Sequence, residues 1–206
     1  VLYTVIIYLA TGKRRILLIS FLVITAAFIA SYLIFDVIQV RVAAWLHPFL
    51  DSRGSSYQIV QSIIAVANGQ VLGTGIGLGS PGVVPVATSD FLFPAILEEH
   101  GFAGGVVLCG ILTIFTIRGL TISLHAPNQY QRFLAAGLTT YLASQAILIM
   151  GGTIRLLPLT GVTLPFMSYG GSSLVTSFIS GFLLMVISNQ AEDRPDSGGR
   201  SAANPR

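Results

Sequence analysis

ILLISFLVITAAFIASYLIF, residues 16–35, is a run of 20 residues without a charged side chain. A helix that crosses the hydrocarbon core of a bilayer needs about 20 apolar residues, so this run predicts a transmembrane helix. Three further runs, at about residues 91–117, 133–150 and 168–187, are also long and apolar enough. The sequence therefore predicts an all-α polytopic membrane protein with about four transmembrane helices.

The overall composition agrees with this class. Of the 206 residues, 53% are hydrophobic and 9% are charged, and the mean hydropathy is +0.79, whereas soluble domains carry about 25% charged residues. The single cysteine, Cys109, excludes an intrachain disulfide. His47, His100 and His125 show no metal-ligand spacing, so no metal site is predicted. The net charge of +3 is small, and it indicates no nucleic-acid partner.

The sequence begins with VLYTVIIYLA, which is about half of a membrane span, and it does not begin with methionine. We therefore expect the chain to be the C-terminal part of a longer protein that starts in the remnant of an earlier helix. The transmembrane domain is predicted over residues 1–190. We also expect this part to be inactive alone, because the helices that complete its cavity would be missing.

Basic residues predict which ends of the spans face the cytoplasm. The side expected to be cytoplasmic carries eight of them, namely Lys13, Arg14, Arg15, Arg118, Arg132, Arg194, Arg200 and Arg206, and the other side carries Arg41, Arg53 and Arg155. Residues 36–89 then form a large extracytoplasmic loop. Residues 191–206 have the composition of a disordered segment and form a cytoplasmic tail.

The predicted loop contains two notable stretches. A structureless loop of this length is uncommon and usually functional. IVQSIIAVA, residues 59–67, follows Gln58 and places Gln61 and Ser62 on its polar side, which indicates an interfacial or short re-entrant helix; the alternative is a solvent-exposed connector. GTGIGLG, residues 73–79, suits either a flexible hinge or a backbone that approaches a ligand closely.

Acidic residues interrupt the second apolar run in PVATSDFLFPAILEEHGF, residues 85–102. Asp90 lies where the outer loop meets a helix, so it is either a residue accessible to substrate or an N-terminal capping residue. Glu98 and Glu99 follow about 12 Å deeper along the helix and point in other directions. We expect both to brace the helices through an Arg or Lys of a neighbouring helix, with a direct functional role as the alternative.

Irregular backbone is predicted in IRLLPLTGVTLPFMSYGGSS, residues 154–173, because Pro158, Gly161 and Pro165 cannot belong to a regular lipid-facing helix. Such backbone at membrane depth is buried in protein or lines a wet cavity. Arg155, at the start of this segment, either neutralises a phosphate or extends to the lipid headgroups.

LPLTGVTLPFMSYGGSS, residues 157–173, closely resembles the C-terminal signature of the SEDS family, the RodA/FtsW/SpoVE-like membrane proteins. The outer segment agrees through Arg41, WLHPF at residues 45–49, Asp51, SYQIVQS at 56–62, GTGIGLG and the stretch around Asp90. The resemblance implies a ten-helix protein of the bacterial cytoplasmic membrane, of which this chain would supply the last four spans. Members polymerise lipid II into the glycan strands of peptidoglycan, and they work with a class B penicillin-binding protein.

The resemblance also implies roles for individual residues. Asp90 matches the family's catalytic aspartate, which we expect to act as general base, and Arg53, Arg155 or a divalent cation such as Mg²⁺ or Mn²⁺ would meet the lipid diphosphate. The remaining expected substrate contacts are Gln58, Gln61, Ser168, Gly170 and Gly171, and the expected structural residues are Glu98, Glu99, Pro158, Gly161 and Pro165.

The sequence departs from the usual family pattern at three places. Thr88 and Ser89 precede Asp90 where relatives commonly have His or Glu followed by Thr. Residues 80–82 stand where a lysine is often found, and Ile149 replaces a usual asparagine. Two other classes of function stay open: transport of lipid II or protons through Glu98 and Glu99, and a non-catalytic scaffold. Elongation, division and sporulation are not distinguished.

Overall fold

The computed structural model describes residues 14–51, 54, 56–79 and 89–192, and in these ranges it contains six helices. The helices are α1 (Arg14–Ile34), α2 (Asp36–Leu46), α3 (Tyr57–Gly69), α4 (Leu92–His125), α5 (Gln129–Thr153) and α6 (Gly171–Glu192). Four of them, α1, α4, α5 and α6, are long and apolar enough to cross a membrane, which confirms the predicted spans.

Helices α4 and α5 form an antiparallel hairpin at the centre of the described bundle. The turn between them is fixed by Asn128, whose side chain accepts a hydrogen bond from the backbone N–H of Gln131 at 2.8 Å and so caps α5. Close approach of the two helices requires Gly119, because a Cβ there would lie 2.3 Å from Oγ1 of Thr139. The core of the hairpin and its surroundings is formed by Phe93, Leu97, Leu108, Ala146, Ile149 and Leu164.

The outer segment is more ordered than the predicted loop over residues 36–89, because it contains α2 and α3. Helix α3 buries Ile59, Val60 and Ala65, which excludes a solvent-exposed connector. Ser62 was expected on the polar side, but it is fully buried and donates a hydrogen bond to the carbonyl of Thr153 at 2.6 Å. A serine can lie in this core because its hydroxyl is satisfied by the end of α5. The predicted tail lies outside the described residues from residue 193 onward.

Helix α4 is interrupted at Gly101, whose φ of 67° and ψ of −169° are not helical. Carbonyl groups before the interruption accept hydrogen bonds from the glycine-rich segment instead of from α4 itself. The backbone N–H of Thr74 donates to the carbonyl of Glu98 at 2.9 Å, and the N–H of Gly75 donates to that of Glu99 at 3.1 Å. The glycine-rich segment thus replaces bonds that the helix loses.

Backbone groups after the interruption are satisfied in the same way. The N–H of Phe102 donates to the carbonyl of Gln70 at 2.9 Å, and the N–H of Ala103 donates to that of Val71 at 3.1 Å. Residues 70–75 are therefore docked into the break of α4 by hydrogen bonds in both directions. The flexible-hinge interpretation of this part of the glycine run is wrong, because its backbone is held by α4.

Gly101→Ala is expected to loosen this docking. The Cβ would lie 2.4 Å from the backbone N of Gly73 and 2.4 Å from the carbonyl O of Val71, in a left-handed conformation. Backbone strain and the clash should together cost about 2–5 kcal/mol. Gly110→Ala on the same helix is the matched control, because its Cβ would meet nothing within 4 Å. A lower thermal midpoint of the purified protein for Gly101→Ala alone is expected, whereas equal midpoints would contradict the docking.

Candidate active site

Asp90 lies in the turn that precedes α4 and is partly buried. The N-cap position is taken by Phe91, which makes no side-chain capping bond, so the interpretation of Asp90 as the helix cap is wrong. Phe91 is 1% exposed and packs with Ala65 of α3 and Leu159, which fixes the turn in place. The hydroxyl of Ser89 donates to Oδ1 of Asp90 at 3.1 Å. Asp90 is therefore held in place by both of its neighbours in the sequence, Ser89 and Phe91.

Arg41 of α2 and Asp90 both approach Gly161. A Cβ at position 161 would lie 3.9 Å from Nη2 of Arg41 and 3.9 Å from Oδ2 of Asp90. Gly161 has a φ of 69°, a left-handed conformation that glycine adopts without steric cost. Nη1 of Arg41 donates to the carbonyl of Leu159 at 3.3 Å. The irregular segment thus brings a guanidinium and a carboxylate to one point.

These groups share a cavity of about 420 Å³ between α2, α3, the Asp90 turn and the irregular segment. Its polar part consists of two carboxylates, one guanidinium and one amide, and the remainder is apolar. This combination suits a ligand that has an anionic group, hydroxyl groups and an apolar part. The lining residues are Asp36, Val37, Val40, Arg41, Ala44, Gln58, Ile59, Asp90, Leu159 and Gly161.

The structure brings together part of the predicted site. Asp90 and Gln58 both line the cavity, as does Gly161, which had been expected to be structural only. Gln61 lies on α3 but does not line the cavity. Arg53 lies outside the described residues. The cation that faces Asp90 is Arg41, which the predicted site did not include.

Arg155 is held elsewhere. Its Nε donates to the carbonyl of Trp45 at 2.8 Å and its Nη2 donates to that of Leu46 at 2.9 Å. The indole Nε1 of Trp45 donates in return to the carbonyl of Arg155 at 3.1 Å. The guanidinium therefore occupies the C-terminal end of α2 and does not line the Asp90 cavity, which corrects the expectation that it lies with the predicted substrate contacts.

Ser168, Gly170 and Gly171 also lie apart from the cavity. Ser168 is 1% exposed, and its Oγ accepts a hydrogen bond from the backbone N–H of Leu164 at 2.9 Å. This bond closes the turn around the fully buried Pro165. Gly171 begins α6 on the exposed surface, preceded by Gly170. The described contacts of Ser168 are those of a structural residue, because its hydroxyl is used inside the turn.

A family model for cell cycle proteins of the FtsW, RodA and SpoVE type matches residues 1–193. The chain belongs to this family. It is 42% identical over 189 residues to the peptidoglycan glycosyltransferase RodA of Mycobacterium tuberculosis, which covers 92% of this chain and 40% of that protein. It is 39% identical over 196 residues to a probable peptidoglycan glycosyltransferase FtsW of Synechocystis, with 92% and 50% covered.

Other relatives extend this picture of an FtsW/RodA/SpoVE-family chain. The stage V sporulation protein E of Bacillus subtilis is 37% identical over 150 residues, which is 72% of this chain and 41% of that protein. A solved chain described under "Structural coordination of polymerization and crosslinking by a peptidoglycan synthase complex" has the same fold, with a TM-score of 0.72 at 23% identity, covering 92% of this chain and 53% of that one. The chain thus spans about half or less of the length of these relatives.

In this family member, a buried polar cluster links the irregular segment to two helices. Gln145 of α5 is 5% exposed, and its Nε2 donates to the carbonyl of Thr163 at 2.9 Å and to Oγ of Ser173 at 3.2 Å. Thr163 and Ser173 are also hydrogen-bonded to each other through their hydroxyls. This cluster was not predicted from the sequence, although an amide in an otherwise apolar span was a visible signal. The cluster holds Thr163 two residues after Gly161.

Glu98 and Glu99 support the fold differently from the expectation. Glu98 is 4% exposed, and within the described part of the chain its Oε2 has no hydrogen-bond partner. The expected pair with an Arg or Lys is therefore not formed there. Both side chains face Gly79, with Cγ of Glu99 at 3.2 Å and Oε2 of Glu98 at 3.3 Å from its Cβ position. The described bonds that brace this region come from the backbone carbonyls of the two residues.

Proposed function

We propose that the protein to which this chain belongs is a peptidoglycan glycosyltransferase that polymerises lipid II into glycan strands. The observation that carries the proposal is the placement of Asp90 and Arg41 at one point of the same cavity. Relatives that are named peptidoglycan glycosyltransferases match 92% of the chain at 39–42% identity. A base and a cation in one cavity are what this reaction needs.

The proposed step joins the 4-hydroxyl of one sugar to the anomeric carbon of another. Asp90 accepts the hydroxyl proton as the new C–O bond forms, because the neutral hydroxyl is a poor nucleophile. The bond from the anomeric carbon to the lipid diphosphate breaks, and the electron pair leaves with the diphosphate. Arg41 is suited to this developing charge, because a guanidinium forms charge-assisted hydrogen bonds with phosphate oxygens.

We also propose that a divalent cation arrives with the substrate diphosphate. Mg²⁺ is usually bound by one or two carboxylates together with substrate phosphates, and Asp36 and Asp90 supply two carboxylates to the cavity lining. A bound Mg²⁺ or Mn²⁺ would add positive charge at the diphosphate. Gln58 supplies an amide that is suited to sugar hydroxyls.

We further propose a location in the bacterial cytoplasmic membrane with the end of α6 toward the cytoplasm. The described helices support this orientation, because Arg14, Arg15, Arg118 and Arg132 lie toward one end of the spans, whereas Arg41 and Arg155 lie toward the other. A class B penicillin-binding protein is the proposed partner, and the solved relative comes from a complex described as coordinating polymerization and crosslinking.

Reconstitution of the full-length protein with labelled lipid II tests the proposed function. Glycan polymer is the expected product. Transport is the alternative that one observation favours, since Glu98 is a buried carboxylate without a partner in the described residues. Label that moves across the bilayer without being joined would identify a transporter, and neither polymer nor movement would identify a scaffold. Either of these two results would overturn the glycosyltransferase proposal.

A further inference from the structure

Helix α2 is attached to the irregular segment at two places. Near its middle, Arg41 donates to the carbonyl of Leu159 at 3.3 Å. At its C-terminal end, Arg155 donates to the carbonyls of Trp45 at 2.8 Å and Leu46 at 2.9 Å. Arg41 and Trp45 are four residues apart, so the two attachments lie on one side of the helix. The attachment at Arg155 therefore acts on the same helix face that presents Arg41.

Arg155 makes this attachment in an unfavourable backbone conformation. Its φ is 64°, in the left-handed region that residues other than glycine rarely adopt. The side chain offsets this cost through charge-assisted bonds to the last carbonyls of α2, where the helix dipole also favours a cation. The indole of Trp45 adds the returning bond to the carbonyl of Arg155 at 3.1 Å. The side chain and the backbone of Arg155 are thus both hydrogen-bonded to α2.

We propose that Arg155 is a positioning residue that acts through Arg41. By holding the C-terminal end of α2 against the irregular segment, it keeps the Arg41 guanidinium in the cavity of Asp90, where the leaving diphosphate would lie. This inference rests on the proposed function. It differs from direct phosphate binding by Arg155 because the guanidinium is already engaged by two carbonyls and does not line the cavity.

Arg155→Gly is the informative variant, because glycine accepts the left-handed φ without strain and only the side-chain attachment is lost. We expect the kcat/KM for lipid II to fall about tenfold, as for the loss of a charge-assisted bond, while the thermal midpoint stays equal because the lost bonds and the relieved strain offset each other. Arg155→Lys keeps the charge but loses the planar fork that reaches both carbonyls, so its kcat/KM should lie between those of the wild type and Arg155→Gly. Trp45→Phe removes the returning bond together with part of the ring, and it should give a smaller change in the same direction.

A double-variant cycle in the full-length protein separates positioning from direct contact. In an Arg41→Gln background, Arg155→Gly should change the kcat/KM no further, because the group that it positions is gone. The same two substitutions, alone and together, are made in the Asp90→Asn protein, where lipid II binding is measured without turnover and the same non-additivity is expected. A wild-type kcat/KM in Arg155→Gly, or effects that add in the double variant, would overturn the inference. Full polymerisation by Asp90→Asn would instead overturn the proposed function, so the two failures are distinguishable.

Discussion

Asp90→Asn in the full-length protein is expected to lower the rate of glycan polymerisation by about 10²–10⁴-fold, the contribution of a positioned general base. The amide has nearly the same shape as the carboxylate, and its oxygen can still accept the 3.1 Å hydrogen bond from Ser89. It cannot take a proton from the acceptor hydroxyl. The measurement is polymer formed per unit time from labelled lipid II, with the amount of folded protein determined in parallel.

Glu99→Gln is the matched control for this prediction. It makes the same carboxylate-to-amide change at a partly buried residue of α4 that does not line the cavity. We expect its rate to stay within about threefold of that of the unmodified protein, because a substitution outside the cavity changes stability slightly and leaves the reacting groups in place. Equal losses in the two variants would mean that the Asp90 effect reflects general loss of negative charge near α4.

Arg41→Gln has the second largest expected effect, a fall in polymerisation of about 10²–10³-fold, comparable to removal of one donor that stabilises developing negative charge. The guanidinium is held in the cavity that Asp90 also lines by its bond to the carbonyl of Leu159. Arg41→Lys keeps the positive charge but loses the planar fork of donors, so an intermediate rate is expected. The salt dependence of lipid II binding should also weaken in Arg41→Gln.

Arg118→Gln controls for the charge removed by this substitution. Arg118 is an exposed residue in the last two turns of α4, far along the helix from Asp90, and it does not line the cavity. Its replacement lowers the net charge by the same amount and should leave polymerisation unchanged. A similar fall in both variants would show that net positive charge, and not the position of Arg41, determines the rate.

The four spans could be predicted from the sequence because apolar length is a local property that any window of the chain reveals. Helix α2 was not predicted, and α3 was predicted only as one of two alternatives for residues 59–67. The two helices have only 11 and 13 residues, and helices of that length are stable mainly through tertiary packing. Ser62 shows the consequence, since its polar side chain suggested an exposed face, whereas a carbonyl 91 residues away makes its burial possible.

The candidate site divides in a similar way. The family resemblance identified Asp90 because its motif is contiguous in sequence. The resemblance also includes Arg41, but it did not assign Arg41 to the site, because only the packing of α2 against a segment 118 residues later brings it to the same cavity. Arg155 was a reasonable candidate by charge and side of the membrane, but its left-handed φ, which spacing cannot reveal, accompanies contacts with α2 instead. Charge alone could not show which of the two arginines, Arg41 or Arg155, lines the cavity of Asp90.

The interruption at Gly101 also determines the depth of the proposed chemistry. Residues 102–125 extend about 36 Å at the rise of an α-helix, which already exceeds the roughly 30 Å of bilayer hydrocarbon. The part of α4 before the interruption, which follows Asp90 and contains Glu98 and Glu99, is therefore not needed for the crossing and can lie at the level of the lipid headgroups. On the proposed function, a lipid-linked sugar would react there while its diphosphate stayed hydrated and its polyprenyl tail never left the membrane.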